Sequence, residues 1–211
     1  VGTAVSMVLS ILGAFVLSRR NLPGRKPLTL FVVLTMLFGG GLVPFYLTVN
    51  GLGLIDTLWA LILPSCISTY NLVILRNFFL SVPESLYESA KIDGANDWQQ
   101  LWRITLPLSK QIIAVMALYY GISNWNGWFA AILFLSDGSL HPLQVYLKRV
   151  LVESSSAEVM MSYANIGTQG MLSLMQVKYA IIIVASAPII AMYPFVQKYF
   201  EKGVMIGSLK G

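Results

Sequence analysis

Charge is scarce in this sequence. Acidic and basic residues make up 11% of the 211 positions, hydrophobic residues 56%, and mean hydropathy is +0.72. Soluble globular domains carry about 25% charged residues, so a water-soluble domain is excluded and an integral membrane protein indicated. The single cysteine, Cys66, lies in an apolar run, which excludes an intrachain disulfide. The single histidine, His141, precedes Pro142 in a loop and is read as a solvated residue without a role; no metal-ligating set and no catalytic constellation stands out. The phosphate-cradling pattern G-x-x-x-x-G-K-[ST] does not occur. The net charge of +5 comes from bases spread along the loops rather than clustered, which argues for topology and against nucleic acid.

What is abundant is apolar sequence in long runs, at 1–17, 28–49, 57–79, 109–135 and 177–197. Each reaches or nearly reaches the roughly 20 residues that cross a hydrocarbon core of about 30 Å. Five spanning helices are therefore expected. The chain opens at Val1, already inside the first run and without a methionine, which reads as a span whose beginning is missing. The connecting loops alternate in charge. Loop 18–27 holds Arg19, Arg20, Arg25 and Lys26, loop 50–56 holds no base, and the stretch bordering 81–107 holds Arg76, Lys91, Arg103 and Lys110. With Lys198, Lys202 and Lys210 in the tail, eleven of the fourteen bases fall on one side; Lys148, Arg149 and Lys178 fall on the other. Basic loops stay cytoplasmic, so loop 18–27, segment 81–107 and the C-terminus are expected in the cytoplasm, with 136–176 as an external loop.

Several runs are more polar than a lipid-facing helix requires. Gly39, Gly40, Gly41 and Pro44 interrupt the second, a break tolerated where backbone lines a cavity or is buried in protein. Pro64, Ser65, Ser68, Thr69 and Asn71 mark the third, and Asn124, Trp125, Asn126 and Trp128 the outer end of the fourth. Two readings stand side by side. One is close helix packing through small residues with tryptophans in the interfacial belt; the other is a polar translocation path that includes Gly40, Asn71, Asn124, Trp125, Asn126 and Trp128. Ionisable groups are essentially absent from the runs, Asp56 lying at an edge, which disfavours an ion-coupled secondary transporter or channel acting alone.

Segment 81–107, SVPESLYESAKIDGANDWQQLWRITLP, is a polar island between apolar runs. Glu84, Glu88, Lys91, Asp93, Asp97 and Arg103 would each cost roughly 2.5–3.5 kcal/mol at mid-bilayer, so the island leaves the membrane. Ser81 and Glu84 have capping-box spacing, with Pro83 in the first turn of a helix that Gly94 ends in left-handed conformation. Asn96 or Asp97 can cap a second short helix with Trp98, Leu101 and Trp102 along its apolar edge, and Pro107 resets the chain before the next run. The result is a compact amphipathic knob on the cytoplasmic face.

Glu88-Ser89-Ala90, three residues, Gly94, nine residues, then Ile104-Thr105-Leu106-Pro107 resembles the EAA motif, E-A-A-x(3)-G-x(9)-I-x-L-P, of the membrane-spanning permease subunits of binding-protein-dependent ABC importers. The motif fixes seven positions over twenty residues; six match, and Ser89 stands in an alanine slot. The extended form VPESLYESAKIDGAN and the ending QKYFEKGVMIGSLKG resemble carbohydrate importers of the maltose-permease type, and GGGLVPFYLTVNGLGLIDTLWALILP resembles permeases of the LplC and YtcP kind. Similarity runs from about residue 10 to Gly211. The resemblance implies an all-α type I importer permease, one domain over 1–211, with five helices here of a six-helix subunit in the bacterial cell membrane. It implies a second homologous permease subunit, two cytoplasmic ATPases that bind ATP and Mg, and an external solute-binding protein, with no cofactor held by this chain. The coupling residues it implies are Glu84, Glu88, Ser89, Ala90, Asp93, Gly94, Ala95, Ile104, Leu106 and Pro107. The cargo it implies is a sugar or oligosaccharide, with another solute as the alternative.

Overall fold

The computed structural model describes residues 1–150, 176, 179–194 and 197, and every regular element among them is helical. The tail 198–211 and most of segment 136–176, expected as an external loop, lie outside the described residues. The elements are α1 (Gly2–Ser18), α2 (Arg25–Leu37), α3 (Leu42–Gly51), α4 (Trp59–Ile62), α5 (Thr69–Leu80), α6 (Glu84–Ile92) and α7 (Asp97–Gln100). A π-helical turn (Leu101–Thr105) follows, then α8 (Leu106–Leu108), α9 (Lys110–Trp125), α10 (Trp128–Phe134), α11 (Leu143–Lys148) and α12 (Tyr179–Pro194).

The core forms where α1, α5 and α9 meet. Phe15, Leu17, Leu72, Leu75, Phe79 and Met116 are buried there, and Leu101 joins them from the π turn. The geometry follows from the face that α1 offers. Gly2, Ser6, Ser10 and Ala14 recur every four residues, so small side chains line one stripe of the helix. Ser6, Ser10 and Ala14 are all buried, and a Cβ on neighbouring Gly13 would approach Leu72 to 3.0 Å. Close approach through small residues is how helices associate when lipid provides no hydrophobic drive. Burying Ser10 is made tolerable by Tyr120, whose hydroxyl lies 2.6 Å from Ser10 Oγ and also accepts the Ser68 N–H at 3.1 Å.

A second centre packs Val49, Ala60 and Phe134, with the Phe134 ring stacked near Tyr46 and edge-on to Phe45. Asp56, at a φ of +59°, joins the two loops beside it. Its amide donates to the Phe134 carbonyl at 2.9 Å, and its carboxylate accepts the Ser136 amide.

The runs expected as spans are segmented. Among the described residues no single helix is long and apolar enough to cross a membrane; α2 with α3, bent by 116°, and Asp97–Leu108 with α9, bent by 85°, qualify by length and composition only as pairs. The first break falls at Gly39–Gly41, where Gly41 adopts φ +79° at the head of α3. The third run is cut more severely than its polarity suggests. Only α4 precedes Pro64, whose ring cannot continue the hydrogen-bond ladder, and α5 restarts when the Ser68 hydroxyl accepts the Asn71 N–H. The fourth run breaks again at Asn126–Gly127, between α9 and α10.

The candidate coupling site

The polar island folds as two short helices joined by a glycine turn. α6 ends in a Schellman arrangement. The Gly94 N–H donates to the Lys91 carbonyl at 3.1 Å and the Ala95 N–H to the Ala90 carbonyl at 2.8 Å, with Gly94 at φ +78°. Asn96 caps α7: its side chain accepts the Gln99 N–H at 2.8 Å while Gln99 Oε1 accepts the Asn96 N–H at 2.9 Å. That reciprocal pair is a capping box. The box expected at Ser81 and Glu84 does not form. Pro83 itself holds the N-cap position of α6, and the Ser81 hydroxyl donates back to the Phe78 carbonyl at 2.7 Å, satisfying the end of α5 instead.

No residue of α6 is fully buried. Glu88, Ser89, Lys91, Ile92, Asp93 and Gly94 are exposed, and Ala90 and Ala95 half-buried. Glu88 has no hydrogen bond or ion pair among the described residues, so the i,i+3 pairing with Lys91 that its position permits is not made. Of the second helix's apolar edge, Leu101 is buried in the core while Trp98 and Trp102 stay 59% and 64% exposed. Ile104 and Leu106 are half-buried and Pro107 is exposed. The π turn ends just ahead of Pro107, whose missing N–H leaves the ladder one bond short there, and the chain then swings by 85° at Ser109 into α9.

The inner side of the knob is held by residues outside the motif. The Arg19 guanidinium, at the end of α1, lies between two rings, 4.1 Å from the centre of Phe15 and 3.7 Å from that of Tyr87. It donates to Gln100 Oε1 at 3.4 Å. The Tyr87 hydroxyl donates to Thr105 at 2.9 Å, Thr105 donates to the Gln100 carbonyl at 3.3 Å, and the Gln100 amide donates to the Ala95 carbonyl at 3.1 Å. Beside them Arg20 Nε meets Glu84 Oε2 at 2.7 Å. That exposed pair contributes roughly 0.2–1 kcal/mol, whereas a cation over an aromatic face in a partly desolvated place contributes about 0.5–2 kcal/mol per ring. The site is open on its outer side, where a cleft of about 480 Å³ is bordered by Arg19, Arg20, Tyr87, Glu88, Lys91 and Asp97. From the sequence, Arg19 and Arg20 register only as topology-setting charge. Tyr87 carries a weak signal, an aromatic ring in a polar helix.

The residues considered for a translocation path occupy different places. Gly40 sits in the α2–α3 break, where an added Cβ would meet Pro44 Cβ at 3.9 Å among the described residues. Asn71 is buried in the first turn of α5. The Asn124 amide donates to Thr3 Oγ1 at 3.3 Å, and Trp125 Nε1 donates to the Ala185 carbonyl of α12 at 3.1 Å. Asn126 is exposed at the end of α9, and Trp128 carries Lys148 Nζ 4.4 Å above its ring. Thr3, Asn124 and Trp125 thus link α1, α9 and α12, while Trp128 belongs to the α10–α11 corner. His141 is half-buried rather than solvated: its Nε2 donates to the Leu135 carbonyl at 3.1 Å beside the Tyr146 ring.

The described residues form a broken-helix bundle with a strongly apolar surface and a capped polar knob at one end, the arrangement of a membrane protein with a water-facing element. Residues 3–206 match the family described as binding-protein-dependent transport system inner membrane component, and the chain belongs to that family. It is 49% identical over its whole length, and over 73% of the relative's, to the polygalacturonan/rhamnogalacturonan transport system permease protein YtcP of Bacillus subtilis. It is 45% identical to protein LplC of the same organism, again over all of this chain and 70% of that one. The fold matches a crystal structure of a bacterial ABC transporter involved in the import of the acidic polysaccharide alginate, with a TM-score of 0.83 and 35% identity, covering 94% of this chain and 70% of that one. The protein is therefore the permease subunit of an ABC importer, a transport subunit whose ATP hydrolysis lies in a separate protein. The family implies an ATPase and a solute-binding protein as partners.

Proposed function

We propose that this chain, with a second homologous permease subunit, forms the translocation path for an acidic oligosaccharide, and that 81–107 is the cytoplasmic loop through which two ATPase subunits drive it. One observation carries the coupling half of this reading. α6 is fastened at its inner side and its C-terminal turn, while Glu88 is exposed with no hydrogen bond or ion pair among the described residues. A carboxylate left in that position suits a basic group in a cleft of the ATPase, and Ala90 and Gly94 allow close backbone approach. The cargo rests on likeness. The name of YtcP specifies polygalacturonan and rhamnogalacturonan and that of the solved importer the acidic polysaccharide alginate; of the residues read as a polar path, Asn126 has an exposed amide to offer a sugar ring. In this arrangement loop 18–27, the knob and the C-terminus lie in the cytoplasm, as the distribution of bases favours.

The Glu88→Lys variant tests the coupling. Abolished ATP-driven uptake with normal membrane insertion is expected, and normal uptake would refute the role. The cargo is tested on the cognate solute-binding protein: binding of oligogalacturonides or oligoalginates is expected, and binding of neutral sugars alone would remove the acidic assignment.

A further inference from the structure

The coupling reading leaves open how movement of the knob reaches the helices, and the inner side of α6 supplies a route. We infer that Arg19, clasped between Phe15 and Tyr87, is a positioning residue that makes α1 and α6 one mechanical unit, so that α1 carries the ATPase-driven displacement into the bundle. The proposal rests on the docking reading above and deepens it.

Three observations converge on Arg19. Its guanidinium bridges the two helices through ring faces, 4.1 Å from Phe15 of α1 and 3.7 Å from Tyr87 of α6. Tyr87 is in turn fixed from the far side, because its hydroxyl donates to Thr105 and Thr105 to the Gln100 carbonyl. Gln100 also accepts from Arg19 and donates to the Ala95 carbonyl, so the clasp closes on the glycine turn that ends α6. Arg20 with Glu84 adds a second tie between the same two segments.

The root of the clasp is rigid. Phe15 is 6% exposed, Thr105 and Ala14 fully buried, and Phe79 and Leu101 lie in the same core. Arg76 of α5 donates from Nε to the Leu17 carbonyl at 3.3 Å, which places a cation on the carbonyl end of α1 where the helix dipole favours one. By contrast α6 buries no residue completely. Without the clasp it would hang on its two flanking connections and the exposed Arg20–Glu84 pair, and a push on Glu88 would bend those connections before it moved the bundle.

The test uses the assembled importer, with its ATPases and partner permease, in a Cys66→Ser background. Spin labels go on Val16 of α1 and Ser85 of α6, both exposed, and their distance distribution is measured nucleotide-free and after ATP–vanadate trapping. The clasp predicts the same distribution in both states. It predicts a shifted or broadened distribution in the trapped state once Arg19→Gln or Tyr87→Leu is introduced, and a smaller change for Tyr87→Phe, which keeps the ring over Arg19 and loses only the hydroxyl bond to Thr105. A distance that changes on trapping in the otherwise native chain would overturn the proposal, as would an unchanged one in both clasp variants. Failure of the docking reading would show elsewhere, as unimpaired uptake by Glu88→Lys, and would leave this distance untouched.

Discussion

At Gly94 the cost of a side chain is conformational rather than steric. Its φ of +78° lies in the left-handed region, and among the described residues nothing comes within 4 Å of where a Cβ would stand. An alanine there costs roughly 1 kcal/mol in backbone strain, and asparagine, which tolerates that region, costs less. Gly94→Ala is therefore expected to speed amide exchange at Gly94 and Ala95, whose N–H groups close the turn, several-fold more than Gly94→Asn does. Equal exchange in the two variants would show that the turn does not depend on this conformation. The glycine's role was readable in the sequence because a lone glycine after a helical pattern has few other uses. That of Arg19 was not: its partners Phe15, Tyr87 and Gln100 are 4, 68 and 81 residues away, and only the fold brings the last two to it.

Among the elements, caps separate what the chain's order discloses from what it hides. Ser81 and Asn96 both have capping-box spacing to a downstream Glu or Gln, Glu84 in one case and Gln99 in the other. Asn96 makes the box and Ser81 does not, because Ser81 follows α5 directly and its hydroxyl, like its N–H, donates to the Phe78 carbonyl. Asn96→Ala should thus destabilise α7 by about 1 kcal/mol, seen as faster exchange of the Gln99 amide. Ser81→Ala should leave the α6 amides unchanged, and a slackened α6 in that variant would restore the box to Ser81. Helix breaks divide in the same way. Three glycines and Pro44 announce the α2–α3 bend, and Pro107 the swing into α9. The turn at Asn126–Gly127 carries weaker punctuation inside an apolar run, and the gap that Pro64 opens after α4 extends to Ser68, whose amide goes to Tyr120, far along the chain.

Taken whole, the molecule has the surface of a protein that does not stand alone in water. Phe31, Leu37, Phe38, Val43, Ile183 and Ile190 are all more than 65% exposed, a pattern that suits lipid or a sister subunit and that soluble monomers avoid. At the other extreme the knob exposes charge that lipid would reject. Composition and charge placement suffice to read that division, since both are properties of long windows; the segmented helices need the packing itself. The central claim is that this subunit moves its cargo only when another protein's ATP hydrolysis is delivered through 81–107. The most direct measurement is uptake of labelled oligogalacturonide into proteoliposomes holding this chain and its partner permease, with the ATPase and the solute-binding protein each supplied or withheld. Uptake that requires both, together with ATP, is expected; uptake that persists without the ATPase would contradict the account.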